Sequence, residues 1–466
     1  MGIIKLSAKE IREKVLNKEI TCEEVVKLFV EQIEKNKEYN AVLEVYADAV
    51  DYAKEIDKQI QNGVIGKLAG VPVIVKDNIL VEGKTSSCGS NMLKHFVPHY
   101  GSTAVAKIQK EGAIIIARAN SDEFAIGSTT ENSAYGVTHN PINAERVADG
   151  SACAVALNMC PVALAGEVGA ASYCGVYGLK PTYGRVSRFG TVGYSSSFDQ
   201  VGIYAKHVED MAIVLEVISG CDAKDCISSK REVEEYSKDL SFNTNVTVGV
   251  ISEVSEMIKG LDCEDNTKQF IELLNKNNIK TIDVSVKDAK LSLPTYFTVT
   301  SAEVSSNLAR YDGVKYTTRS ENAKNLEEIY KMTRTESFNK DTKRRIMFGN
   351  FVISTGNYDK YYRKAKSIQD NIASQMEQAL ESCDFIVMPT TCGEAYEIGK
   401  KDKDFMNAYK EEMFTILPIL TGVCAISVPF GKGKNGLPLG VQIVSKKFNE
   451  ASILKFAKYL EGVLGE

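Results

Sequence analysis

Two short runs of branched apolar residues limit what this chain can fold into. Val71-Pro-Val-Ile-Val75 and Ala113-Ile-Ile-Ile-Ala117 are apolar at every position rather than at alternate ones. Each therefore predicts a strand buried on both faces. Between them, Thr103 to Glu111 has the residue spacing of a helix. Strand, helix, strand in that order predicts a βαβ unit with parallel pairing. Phe385-Ile-Val-Met388, Ala425-Ile-Ser-Val428 and Gly440-Val-Gln-Ile-Val444 add strands near the C-terminus, with Asn245 to Ile251 and Lys280 to Val284 between. The expected fold is α/β, with a central mixed, largely parallel sheet covered by helices on both faces and built from both ends of the chain.

Helix starts are written clearly near the N-terminus. Ser7-x-x-Glu10 and Thr21-x-x-Glu24 are capping boxes, in which hydroxyl and carboxylate satisfy the first free backbone N–H groups. Further helices are expected over Ala47 to Ile60, His207 to Gly220, Lys324 to Arg334, Asp359 to Glu381 and Ala451 to Leu460. The small-residue segment Ala154 to Leu164 predicts a helix buried against the sheet. No repeat or linker divides the chain. One domain, 1–466, is expected: a helical layer (1–60), a core (61–230), a strand and helix insertion (231–380), and strands and a helix that return to the sheet (381–466).

Composition excludes several functions. A net charge of −5, with Lys and Glu interspersed, argues against a broadly basic nucleic-acid surface. The eleven cysteines include no C-x-x-C pair and are odd in number, so reduced, packed thiols are expected rather than disulfides or a zinc site. The opening M-G-I-I-K-L-S-A-K-E lacks a signal-peptide core, and no apolar run reaches membrane-spanning length. A cytoplasmic protein that engages no membrane is the expectation.

Hydrolytic chemistry by the usual serine–histidine route is poorly served. Only His95, His99, His139 and His207 exist, and no G-x-S-x-G elbow accompanies them. His95 and His99 have a metal-ligand spacing, but Pro98 interrupts the helix this would need and no third ligand is evident. No metal is expected. A lysine whose amine is kept neutral by burial is the other route to a base. Lys76 ends the first buried strand, where α/β sheets place functional groups.

The residues around Lys76 resemble the amidase-signature family, and within it the A subunits of the tRNA-dependent amidotransferases. The likeness is carried by Gly70 to Asn78, by S-D-E-F-A-I-G-S-T-T-E-N-S-A-Y-G (Ser121 to Gly136) and by G-L-K-P-T-Y-G-R (Gly178 to Arg185). S-S-N-L-A-R-Y-D-G-V (Ser305 to Val314), K-R-R-I-M-F-G (Lys343 to Gly349), M-P-T-T (Met388 to Thr391) and G-L-P-L-G-V-Q-I (Gly436 to Ile443) extend it over nearly the whole chain. The resemblance implies an amidase fold and glutamine hydrolysis that supplies ammonia for converting Glu-tRNA(Gln) or Asp-tRNA(Asn) to the amide. It implies B and C subunits as partners, contact with tRNA only through the complex, and no cofactor in this chain, ATP and Mg being used on the partner.

In that family the counterpart of Lys76 is the base, acting through a cis-peptide serine on a nucleophilic serine. The two serines lie in loops of the form P-G-G-S-S-G-G-S and D-T-G-G-S-I-R-Q-P. This chain is short at both places, with Ala148-Asp149-Gly150-Ser151 at the first and Ala165 to Ala171 followed by Ser172 at the second. The expectation is therefore a chain with the family fold that has lost glutamine hydrolysis and keeps Lys76 without its partners. The alternatives are an active amidase using Ser151 and Ser172, and a non-catalytic scaffold. The substrate-binding positions of the family fall on Arg344 or Arg345 and on Glu412, which replaces an aspartate.

Overall fold

The computed structural model describes residues 2–400, 410–411 and 413–465. The capping boxes form as written. Ser7 and Thr21 cap helices α1 (Ala8–Leu16) and α2 (Cys22–Lys35), each exchanging hydrogen bonds with the glutamate three residues on. Asp210 secures the start of α1 by accepting from the Ala8 N–H at 2.8 Å. With α3 (Ala49–Gln61), these helices bury Ile11, Val25, Phe29 and Ile56 in the main core.

The strands, in chain order, are β1 (Val42–Val45), β2 (Pro72–Lys76), β3 (Ile114–Ala119), the short pair β4 (Thr138–His139) and β5 (Val147–Ala148), then β6 (Val162–Ala165), β7 (Tyr177–Lys180) and β8 (Gly202–Ala205). β9 (Thr247–Ile251), β10 (Lys280–Val284), β11 (Phe385–Pro389), β12 (Cys424–Lys432) and β13 (Pro438–Ser445) complete the set. Among the described residues, eleven of them form one sheet in the order β1-β3-β2-β6-β8-β7-β12-β13-β11-β9-β10, and β4 pairs with β5 separately. Helix α4 (Thr103–Lys110) crosses between the parallel strands β2 and β3, the βαβ unit the sequence predicts. Every residue of β2, β3, β6, β7 and β11 is buried. Successive side chains of a strand point to opposite faces, so both faces of the sheet are covered.

The α/β class and the mixed sheet are those expected, with a different balance. Parallel pairing is confined to β3-β2-β6 and β11-β9-β10, and the middle of the sheet, from β6 through β8, β7, β12 and β13 to β11, is antiparallel throughout. A second correction falls on the expected helix Ala154 to Leu164. The helix is α5 (Gly150–Ala156), and Asn158, in the left-handed conformation at φ 57°, turns the chain into β6. A β-branched residue between Pro161 and Leu164 serves a buried strand better than a helix. After β6 comes the short helix α6 (Gly169–Cys174).

Candidate functional site

Lys76 is the last residue of β2, and burial of the strand carries its side chain inside the protein. Its Nζ donates to Asp149 Oδ2 at 2.9 Å, and both side chains are almost fully buried. Asp149 stands at this point because it is the N-cap of α5. Its other oxygen, Oδ1, accepts from the Ser151 N–H at 2.9 Å and the Ala152 N–H at 3.2 Å. Gly150 makes the approach possible, since a Cβ there would lie 2.4 Å from Asn120 O and 2.6 Å from Ala41 O. Burial alone would pull the Lys76 amine down, but the charge and hydrogen bond of Asp149, aided by Glu167 and Asp122, outweigh it and hold its pKa above the ordinary lysine value. In place of the neutral amine expected, the Asp149 carboxylate beside Lys76 favours its ammonium form. Lys180 is a fully buried lysine whose pKa does fall, pushed down to about 8 by desolvation, with its Nζ donating to Pro181 O at 3.0 Å.

Lys76 also forms part of the wall of a cleft enclosing about 740 Å³ of empty space, some of it open to solvent. Among the described residues, two carboxylates line it. Glu167 accepts from the Gly169 and Ala170 N–H groups at 3.0 and 3.3 Å, and so caps α6. Asp199 accepts from the Tyr194 and Ser195 N–H groups, each at 3.1 Å, and burial pushes its pKa up to about 6. Tyr194, Phe198 and Tyr296 supply aromatic wall, with the rings of Phe198 and Tyr296 5.4 Å apart. Asn78 and Thr191 line the cleft as well, and Asn78 Oδ1 and Thr191 Oγ1 are buried with no hydrogen-bond partner among the described residues.

The hydroxyls of the two candidate serines take no part in the Lys76–Asp149 pair. Ser151 is fully buried in α5, and its Oγ has no partner among the described residues. Ser172 is fully buried in α6, and its hydroxyl pairs with Thr391 Oγ1 at 3.1 Å. Among the described residues neither hydroxyl hydrogen-bonds the Lys76 amine, and neither serine lines the cleft. Burial drives the Cys153 and Cys174 thiols well above their ordinary pKa, which leaves them unreactive. Arg344 and Arg345 lie on the helix Lys340–Ile353, outside the cleft lining. Arg344 pairs with Asp341 at 2.9 Å, while the Arg345 guanidinium sits 3.9 Å over the Phe297 ring and donates to Thr300 Oγ1. Glu412 lies outside the described residues. His95 and His99 are on no helix, and among the described residues no group of three or more His, Cys, Asp or Glu is placed to hold a metal ion.

Sequence alone does not single out Asp149, Glu167 or Asp199. A capping signal exists for Asp149, an aspartate directly before a run of small helix-forming residues, but nothing in it points to Lys76.

A family model described as Amidase matches residues 24–454. The A subunit of the glutamyl-tRNA(Gln) amidotransferase of Persephonella marina is 39% identical, over 98% of this chain and 97% of that protein. Its namesake from Fusobacterium nucleatum is 40% identical, over 100% and 98%. Among solved structures, the glutamyl-tRNA(Gln) amidotransferase A subunit of Thermotoga maritima superposes with a TM-score of 0.77 at 31% identity, covering 99% of this chain and 95% of that one.

Proposed function

The chain belongs to the amidase family, and we propose that it is an A-type subunit of a tRNA-dependent amidotransferase that has lost glutamine hydrolysis. In this reading it assembles in the cytoplasm with B and C subunits that act on Glu-tRNA(Gln) or Asp-tRNA(Asn). Full-length similarity to proteins of that name supports the placement. The ion pair between Lys76 and Asp149 carries the loss of activity.

Amide hydrolysis by a hydroxyl needs a base with a free lone pair to take the hydroxyl proton, and an oxyanion cradle for the tetrahedral intermediate. An ammonium ion held by Asp149 has no lone pair to offer. The hydroxyl of Ser172 pairs with Thr391 inside the protein, and Ser151 is fully buried in α5. Capping uses the same loops differently. The Ser151 and Ala152 N–H groups bind Asp149, and the Gly169 and Ala170 N–H groups bind Glu167, so backbone donors suited to an oxyanion already hold carboxylates.

The test is ammonia release from glutamine by the purified chain with its partner subunits supplied. The expected rate equals that of a Lys76→Ala control, since losing the nucleophile of a serine hydrolase costs on the order of 10⁶ in rate. A turnover well above that control, abolished by Ser172→Ala, would show an active enzyme instead. Assembly is a separate property, and co-purification with the partner subunits is expected to survive in both the natural chain and the Lys76→Ala variant.

A further inference from the structure

We infer that an exposed face of the helix Lys340–Ile353, continued over the helical turn Asp359–Arg363, is a docking surface for a partner protein that presents an acidic, amphipathic helix. Residues 340–366 hold eight Lys and Arg against two Asp, a net +6 within a chain of net charge −5. Of those eight, all but Arg345 reach the surface at least in part. Lys340, Arg344, Met347 and Phe351 follow one another at intervals of three or four residues, so they lie along one side of the helix. Arg344 pairs with Asp341 and Arg363 with Asp359, the two acids of the stretch. Among the described residues Lys340, Lys360 and Lys364 have no ion pair. None of these residues lines the cleft at Lys76.

Apolar surface fills the middle of this basic run. Met347 is 72% exposed, Phe351 46% and Tyr361 42%. Phe348 and Phe351 stack with ring centres 6.4 Å apart, and Phe351 meets Tyr361 at 5.3 Å, which joins helix and turn into one patch. Met347 and Phe348 also line an open hollow with Lys340, Lys343 and Arg344, enclosing about 940 Å³ of empty space that includes solvent. Contiguous apolar side chains rimmed by charge mark a surface that another molecule covers. Three features select the occupant. The rim is basic on a chain that is acidic elsewhere, so its complement is acidic. The most exposed side chain at the centre is Met347, whose flexible thioether packs on apolar side chains and offers a nucleotide base no ring face, while Phe351 already stacks on Phe348. The patch runs along a helix beside a hollow, a shape that seats the apolar stripe of a second helix. Acidic flanks of that helix would meet Lys340 at one end and Lys360 and Lys364 at the other.

The probes are fluorescent ligands titrated into the full chain and followed by anisotropy: an amphipathic helical peptide of Leu, Ala and Glu about five turns long, its counterpart with every Glu replaced by Lys, and an oligouridine RNA. The acidic peptide is expected to bind about tenfold or more tightly than the basic one, and to weaken severalfold from low to high salt. Met347→Glu is expected to abolish that binding, and Lys340→Glu or Lys364→Glu to weaken it severalfold. Val64→Glu, at an exposed apolar residue outside the patch, is expected to leave it unchanged. Met347 and both lysines are exposed, so the variants are expected to keep the circular dichroism spectrum of the natural chain. Equal binding of the two peptides, no peptide binding at all, or a folded Met347→Glu variant that binds the acidic peptide as the natural chain does would overturn the inference. Tighter binding of the RNA would make the patch a nucleic-acid surface, and a dimer in analytical ultracentrifugation that Met347→Glu dissolves would assign it to a second copy of this chain. Either result overturns the inference as well.

Discussion

A lysine at the end of a buried strand can be a base or a structural cation, and its nearest carboxylate decides which. Lys76 meets Asp149, a residue 73 positions away in the chain, at 2.9 Å. Breaking a buried pair from one side leaves an uncompensated charge, at a cost of roughly 3–5 kcal/mol. Asp149→Ala also removes the cap of α5, worth about 1 kcal/mol more. We therefore expect Asp149→Ala to lower the denaturant midpoint sharply and Asp149→Asn to do so less. A loss no larger than that of an exposed cap would contradict the pairing. The same pair predicts a pH dependence. The folded pKa of Lys76 lies above its unfolded value, so its contribution is complete below the unfolded value near 10.5 and is lost as pH rises through the folded one. Stability should fall on the alkaline side more steeply in the natural chain than in Lys76→Met, with no corresponding difference between pH 6 and 9. At this scale the sequence exposes half of the pair. Lys76 stands out because a lone charge ends an apolar run, whereas an aspartate before Gly-Ser is an ordinary helix start whose partner depends on tertiary contact.

Among the secondary-structure elements, α5 and β6 control the site. Gly150 seats the start of α5 against the backbone of Asn120 and Ala41, with no room for a Cβ. Gly150→Ala must push the helix away, at a cost of about 1–3 kcal/mol for overpacking. It should also weaken the hold of Asp149 on Lys76 and reduce the alkaline stability loss, and a stable variant with an unchanged alkaline profile would contradict this account. The strands β2 and β3 are legible from their branched apolar runs alone, as are the capped helices α1 and α2. β1, β7 and β8 are not. Each has only four residues, and β7 and β8 both contain a glycine, so no run is long enough to rise above its surroundings. The helix α5 is expected too far along the chain because small apolar residues suit a buried helix and a buried strand equally. Asn158 at positive φ, which separates the two, carries no periodic signal.

For the whole molecule, the sheet is the organising fact. β7 from the first half pairs on one side with β8 and on the other with β12 from the C-terminal segment. The core at 61–230 and the return segment at 381–466 therefore share one ladder, and β9 and β10 extend it beyond β11. A fragment of residues 1–230 would expose the edge of β7, and unpaired buried strand edges aggregate. That fragment is expected to be insoluble or to elute as an aggregate in size-exclusion chromatography, and a folded monomer would show that the N-terminal half closes without its C-terminal strands. Among the described residues no helix is long and apolar enough to cross a membrane. The family is written across the whole chain, but the fate of its chemistry is not, because that rests on which buried groups meet when distant segments pack. The most direct test is an NMR titration of the Lys76 side chain through its Cε resonance, assigned by comparison with Lys76→Met. The account predicts no titration between pH 6 and 9 and a midpoint above 10.5, and a midpoint near neutrality would contradict it by restoring a lysine base.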